Sequence, residues 1–508
     1  MRAVHKRGTA FATFGFAAVL TVAMVATPTS AGAAGTQKVQ EPQHLCKAAK
    51  PGHMSCDAIR LVTRRVSNQQ AAQLRADGLA RPSKRLGTGP AGGYTPKQIA
   101  AAYGIKPNAK TKQTVAIVDA FDNPSVKSDL NFFDKHYGLH KETKKSFKVI
   151  NQQGHASPLP APDPGWAGEI TLDVQSVRAV CHRCKILLVE ADNNQNANLA
   201  TAVDRAVKKG AKIVSNSYGG PEGKGHAKSY SHKGVAILAS TGDDGWYGWD
   251  NVNFGTPSMS KSQTPASFKS VVAVGGTSLY LNPNGSRASE DVWNDNGPAD
   301  IYGVSAANTF GFGPGAAGSG CSKLFKAPSW QKHVKGYKSL GCGSHRSGVD
   351  IAAIADEFTG FDVYETFAWC GSCEPDGWAT FGGTSLASPV VAGLWGLAGG
   401  PHKGVKFAAK TLYDNFKHKK KATYDVGVGG TGGCDTQSPK SCNGILPFVI
   451  YGGSFTGSNP NDGPGGLVDC AWKAHGARVL NNRAQCYAQP GYDGVSGVGT
   501  PKGLSIFK

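Results

Sequence analysis

Beyond Ala26 the chain has no apolar run long enough to cross a bilayer, which excludes a polytopic membrane protein. It also lacks a basic motif interleaved with aromatics and any zinc-finger spacing, so nucleic acid is not an expected partner. Internal repeats are absent, which excludes solenoids and propellers. Acidic residues are the scarcer charge, 35 Asp and Glu against 55 Lys and Arg, for a formal net charge of +20. The basic residues are scattered. The one dense run, Lys417-His418-Lys419-Lys420-Lys421, reads as a solvated surface. Such a balance implies electrostatic association with an anionic cell wall. Nothing in the sequence specifies an oligomeric state.

The 508 residues suffice for one large or two medium cores. Residues 1–33 read as a signal peptide: basic Arg2, Lys6 and Arg7, an apolar stretch from Thr9 to Ala26, and a small-residue cleavage site, Ala31-Gly32-Ala33. A membrane anchor is the competing reading, and the small-residue end favours cleavage. The expectation is a secreted, extracellular protein with no membrane anchor after signal removal. Twelve cysteines suit an oxidising compartment. Local pairing joins Cys46 with Cys56, Cys181 with Cys184, Cys370 with Cys373, Cys434 with Cys442 and Cys470 with Cys486, leaving Cys321 and Cys342. In the alternative, Cys181, Cys184, Cys370 and Cys373 share one zinc.

Residues 34–93 form a polar, basic pro-segment or extension. It holds the Cys46–Cys56 loop, a helix near Ser67 to Asp77, and a glycine-rich linker from Gly87 to Gly93. The main domain, 94–508, alternates strands and helices. Thr114–Asp119, Lys185–Glu190, Lys212–Ser215, Val235–Ala239 and Ser270–Val274 are short continuous apolar strands, as strands buried on both faces should be. Ser125–Tyr137 and Asn198–Lys209 are helices between them. The fold class is therefore α/β, a mostly parallel sheet with helices on both faces. Ligands in such sheets sit beyond the carboxyl ends of the strands. There the chain has Asn216-Ser217-Tyr218-Gly219-Gly220 and Thr241-Gly242-Asp243-Asp244-Gly245. Gly311 to Gly320 reads as a mobile or substrate-lining loop, and 434–486 as a Cys-rich insertion.

Two motifs carry chemistry. Gly382-Gly383-Thr384-Ser385 leads into the apolar run Val390–Ala398. Glycines let the backbone turn tightly, and a helix N-terminus favours developing negative charge, which suits a nucleophilic serine. A glycine turn with a capping hydroxyl before a core helix explains the same residues. Glu169 and Asp173 are four apart and share one face of a helix. Such a pair is either a solvated face, or a dry pair that shares a proton and serves as a base. No H-G-T-H context is present to supply a histidine base, and His155 beside a proline-rich loop reads as exposed.

Taken together these segments resemble the sedolisins, the serine-carboxyl peptidases of subtilisin fold. Four carry the likeness in family order: Glu169-x-x-x-Asp173; Ser217-Tyr218-Gly219; Gly242-Asp243-Asp244-Gly245 with Pro265-Ala266-Ser267 and Ala273–Thr277; and Gly383-Thr384-Ser385-x-Ala387-x-Pro389. Tyr94-Thr95-Pro96, Ala102-Tyr103-Gly104 and Phe325-x-x-Pro328-x-Trp330-Gln331 support it. The resemblance implies a subtilisin-like fold and a serine endopeptidase acting on proteins or peptides. In it Ser385 is the nucleophile, Glu169 the general base, Asp173 its orienting partner and Asp243 the oxyanion-hole aspartate. An aspartate there donates only when protonated, so acidic pH should favour activity. Ser217 and Gly219 match the strand that pairs with an extended peptide, Gly318-Ser319-Gly320 borders the pocket, and Asp119 is structural.

The resemblance also implies one structural calcium ion, held by Asp425 and Asp493 and by carbonyls of Val426, Gln489 and Gly491. A glycine is usual where Gln489 stands. Typical sedolisins carry a long prodomain; here 34–93 is a truncated pro-segment, or the chain matures differently. Two rival readings are a catalytically silent relative that binds peptides or cell-wall material, and a subtilisin-type peptidase. Intact Glu169, Asp173, Asp243 and Ser385 oppose the first, and the missing histidine motif opposes the second.

Overall fold

The computed structural model describes residues 35–76, 81–82, 86–246, 262–294, 315–368, 375–419, 421–431 and 483–508. An eight-stranded sheet lies at its centre, in the order Arg287–Val292, Val272–Leu281, Ala236–Ser240, Ile213–Asn216, Thr114–Ala120, Lys185–Ala191 and Phe147–Asn151, with Ile351–Ile354 also paired to Val272–Leu281. Every pairing is parallel except that of Arg287–Val292. The strand Thr114–Ala120 shows why apolar runs mark it. Val115 and Ile117 enter one core, Ala116 and Val118 the other, so both faces need apolar side chains.

Helices cover both faces. Asn196–Lys208 puts Leu199, Ala200, Val203 and Ala206 into the second core. Pro164–Val180 and Thr384–Leu397 pack on the opposite face, with Ile170, Val177, Leu386, Val390 and Leu394 in the larger core. Asp119 shares the face of Val115 and Ile117 by strand alternation, so it lies under these two helices. This arrangement places the serine motif and the acidic pair against one another, on the face where the strand ends.

Two local features hold the helices that matter. Asp163 caps Pro164–Val180, its Oδ1 accepting the N–H groups of Gly165 and Trp166 at 3.0 Å each. Pro389 lies inside Thr384–Leu397 and has no N–H for the carbonyl four residues earlier, that of Ser385. Ser217 Oγ reaches that carbonyl at 3.4 Å instead.

The N-terminal segment is woven into the fold. A five-stranded antiparallel sheet runs Phe361–Tyr364, Trp378–Gly382, Ile59–Ser67, Thr36–His44, Arg81–Pro82, so the segment pairs with the strand that leads into the serine motif. Residues 36–508 accordingly form one compact unit. The helix expected near Ser67 spans Asn68–Ala76. The glycine-rich run before Tyr94 is a pinned turn and not a loose linker: the N–H groups of Ala91, Gly92 and Gly93 donate to the buried Asp362 carboxylate at 2.6, 3.2 and 2.7 Å.

Disulfides join Cys46 to Cys56, Cys181 to Cys184 and Cys321 to Cys342, and Cys486 is also disulfide-bonded. The Cys181–Cys184 bond removes both thiolates from the zinc alternative. Cys370, Cys373, the signal peptide and the insertion up to residue 482 lie outside the described residues. Of the 311–320 loop, Ala316–Ser319 is a strand paired in parallel with Asp244–Trp246. No described helix is long and apolar enough to cross a membrane.

Candidate active site

Ser385 stands in the first turn of its helix and is fully buried. Gly383 precedes it with φ 89°, a conformation that glycine adopts without strain. Ser385 Oγ donates to Glu169 Oε2 at 2.8 Å, and also lies 3.2 Å from the Ser217 carbonyl. Among the described residues no imidazole meets the serine, and His155 is exposed.

Glu169 and Asp173 lie in a helix that is buried from Trp166 to Val180, so the solvated-face explanation fails. Both side chains are fully buried. Ser217 Oγ donates to Asp173 Oδ1 at 2.7 Å. Glu169 Oε1 and Asp173 Oδ2 meet no donor, and the two carboxyls are within hydrogen-bond reach of each other. Two carboxyls in that position need a proton between them. Burial pushes the Glu169 carboxyl well above the usual range, and the charges of Asp173 and Asp119 push it further. Burial and Asp119 raise Asp173 in the same way, against the Ser217 hydrogen bond. Asp119, with both oxygens buried and unpartnered, is raised to about 8 by burial. The residue that sequence reasoning set aside as structural is thus the third carboxyl of one buried cluster.

Asp243 follows the strand Ala236–Ser240. Its Oδ1 accepts the Thr384 N–H at 2.7 Å and the Thr384 hydroxyl at 2.8 Å, while Oδ2 is buried without a donor. Burial, then Asp57, raise its pKa well above the carboxylate range. A carboxyl kept protonated there has an O–H to give. Gly318 N–H donates to the Gly242 carbonyl at 2.7 Å, which sets the 316–319 strand beside this turn.

Ser217 and Gly219 are paired with an extended chain, and that chain is the protein's own. Ser55 opposes Gly219 and Cys56 opposes Tyr218 in antiparallel register. Asp57 N–H donates to the Ser217 carbonyl at 3.3 Å, and the Asp57 carbonyl accepts the Ser385 N–H at 3.0 Å. Sequence reasoning missed Asp57 with its neighbours Ser240 and Gln263. The adjacent cysteine loop was visible, but no local signal ties it to Ser385.

The two segments proposed to hold calcium also meet. The Asp425 carboxylate accepts the Gly491 N–H at 3.1 and 2.9 Å, and Asp493 Oδ2 accepts the Gln489 N–H at 2.9 Å. Val426 is buried in a small apolar cluster with Val292, Ala488 and Val495. Asp493 is fully buried, and among the described residues no cation acts on it or on Asp425. Asp493 Oδ1 further accepts the Val495 N–H, the Ser496 N–H and the Ser496 hydroxyl at 3.1, 2.8 and 2.9 Å, so backbone and hydroxyl donors already serve this carboxyl; the oxygens of the set are of the hard kind that a hard cation takes. Among the described residues no trio of His, Cys, Asp or Glu converges, so backbone carbonyls would have to complete the cage.

Known proteins resemble this chain in sequence and in fold. The Subtilase family matches residues 164–413. Sedolisin of Pseudomonas sp. (strain 101) is 28% identical over 369 residues, 69% of this chain and 58% of that protein. Kumamolisin of Bacillus sp. (strain MN-32) is 30% identical over 319 residues, 59% of this chain and 51% of that protein. The chain therefore spans little more than half the length of these relatives. Among solved structures, Pseudomonas sedolisin, a serine-carboxyl proteinase complexed with two molecules of pseudo-iodotyrostatin, covers the fold with a TM-score of 0.56. That match is 23% identical and takes in 81% of this chain and 95% of the other. In sequence the chain is thus similar to sedolisin and kumamolisin, and its fold is the subtilisin-like fold.

Proposed function

We propose that the chain is a secreted serine-carboxyl endopeptidase that hydrolyses peptide bonds in proteins or peptides and works best in acid. The observation that carries this reading is the 2.8 Å hydrogen bond from Ser385 Oγ to Glu169 Oε2, with no imidazole among the described residues near it. Ser385 Oγ attacks the carbonyl carbon of the bond to be cut, and its proton passes to Glu169. Asp173 holds Glu169 in place through the shared proton and is itself held by Ser217. The oxyanion that forms takes hydrogen bonds from the Ser385 N–H and from protonated Asp243. Glu169 then gives its proton to the leaving amine, and the acyl-enzyme is released by water through the same carboxyl. Acid is favoured because Asp243 donates only while protonated.

Export is supported by the three described disulfides, and the basic balance supports attachment to an anionic wall. One calcium ion belongs to the same reading. Asp425 and Asp493 with the carbonyls of Val426, Gln489 and Gly491 would hold it, and it would neutralise two carboxylates that meet no other cation among the described residues.

The test is digestion of a denatured protein by the purified chain from about pH 3 to 8, beside Ser385→Ala. Cleavage that peaks in acid and is lost in the variant is expected. Folded protein, freed of its N-terminal segment, that cuts nothing at any pH would leave a silent peptide-binding relative. Loss of activity with a histidine-selective reagent would favour a subtilisin-type mechanism.

A further inference from the structure

The segment from His53 to Ile59 lies across Ser385 as a peptide lies across a protease. On the acyl side Ser55 and Cys56 pair with the strand Tyr218–Pro221. On the leaving side Ile59 pairs with Gly382 and Leu61 with Thr380 of Trp378–Gly382. Between them the Asp57 carbonyl takes the Ser385 N–H. A Cβ built on Gly383 would stand 2.1 Å from the Asp57 carbonyl oxygen and 2.6 Å from Asp243 Oδ2, so that oxygen and the Asp243 carboxyl crowd one small space. The Asp57–Ala58 bond therefore occupies the place of a bond about to be cut.

The Asp57 side chain is received by side chains built around it. Asp57 Oδ2 accepts the Ser240 hydroxyl at 2.6 Å and the Gln263 amide at 2.8 Å. The Gln263 amide lies against two glycines. A Cβ on Gly219 would stand 1.5 Å from its Nε2, and one on Gly242 would stand 2.5 Å from its Oε1. Glycines at both positions leave the slot that the amide fills. Among the described residues no cation acts on Asp57, and Asp244 adds a like charge, so the pocket suits an aspartyl carboxyl in acid, where it is neutral or hydrogen-bonded. Burial raises Asp57 itself to about 7.

We propose that Ser240 and Gln263 make this cleft select aspartate on the acyl side of the bond it cuts, and that the chain's own Asp57–Ala58 bond is its first substrate. This rests on Ser385 being the nucleophile. In the step, Ser385 Oγ bonds to the Asp57 carbonyl carbon, the C–N bond to Ala58 breaks, and Glu169 carries the serine proton to the Ala58 nitrogen. Water then releases Asp57 with a free α-carboxyl group. The cut ends stay together, because Thr36–His44 pairs with Ile59–Ser67 along its whole length. Cys46 and Cys56 lie on the same side of the cut, so their disulfide keeps the acyl-side loop closed.

The test uses the full chain held in acid, then denatured and read by intact mass and N-terminal sequencing. A new N-terminus at Ala58 is expected, absent in Ser385→Ala. In parallel, peptides that differ only in the acyl-side residue, Asp, Asn, Leu or Lys, are assayed with the processed protein. Asp is expected to lead. Gln263→Ala should lower kcat/KM for the Asp peptide by roughly 10- to 100-fold, the usual worth of a hydrogen bond to an acid group. The ratio of kcat/KM for the Asp peptide to that for the Leu peptide should fall with it, and an unchanged thermal midpoint shows that the variant folds. Digestion of other proteins with no cut after Asp57 and no preference for Asp would overturn this proposal and leave the peptidase reading intact. Failure to cut any peptide or itself would overturn both.

Discussion

Replacing Asp243 separates two demands that the site makes of one carboxyl. Its Oδ1 accepts from the Thr384 N–H and hydroxyl, and its buried Oδ2 has a proton to give only while the group is neutral. Burial, then the charges of Asp57 and Asp244, raise its pKa, while the Thr384 hydrogen bonds oppose them. As pH rises through that raised pKa the donor is lost, so the wild-type rate should fall on the basic side. Asp243→Asn keeps an acceptor for Thr384 and puts an N–H where the proton was, at every pH. It should hold kcat/KM on the basic side where the wild type declines. Asp243→Ala removes one of two oxyanion donors, for a loss of about 10²–10³-fold, or ~2.7–4 kcal/mol. It also strands the buried Thr384 donors, at about 1–3 kcal/mol of stability, so thermal midpoints must accompany the rates. The assay is kcat/KM on a peptide substrate from about pH 3 to 8, after acid incubation to constant activity. A basic limb in Asp243→Asn identical to that of the wild type would refute the assignment, and so would full activity in folded Asp243→Ala.

Two further outcomes follow from the buried carboxyls and the calcium reading. Asp57, Asp119, Glu169, Asp173 and Asp243 all have raised pKa values, so the native state keeps protons that the unfolded chain has released above about pH 4. Stability should therefore fall as pH rises toward about 8, by about 1.4 kcal/mol per pH unit for each proton of difference. Burial lowers His182 to about 4, which works in the opposite direction, but only below its unfolded value of 6.5. Thermal midpoints of the intact Ser385→Ala chain at pH 5 and pH 8 check this, and a higher midpoint at pH 8 contradicts it. For calcium, a chelator should lower the thermal midpoint, added Ca²⁺ should restore it, and Asp493→Asn should remove the response. Stability indifferent to chelator would dismiss the ion.

The strand core was legible because two-sided burial demands continuous apolar runs, and Thr114–Ala120 and Lys185–Ala191 have them. The serine turn and the acidic pair were legible because each is a local pattern: Gly-Thr-Ser before an apolar helix, and two acids one helical turn apart. What the pattern could not decide was environment. The same Glu169-x-x-x-Asp173 spacing fits a solvated face, and only the packing of Pro164–Val180 beneath Thr384–Leu397 makes it a dry pair. Asp119 joined that pair because strand alternation and sheet order brought it under the same helices. Asp57 depended on tertiary structure altogether. Its partners Ser217, Ser240, Gln263 and Ser385 are distant in sequence, and the Thr36–Ser67 strands reach the cleft by pairing with Trp378–Gly382. Sequence by itself determined which elements form and which residues have the chemistry, because propensity and periodicity are local. Only the tertiary structure decided which carboxyls lose their water and which segment fills the cleft, because desolvation and long-range strand pairing depend on the whole fold.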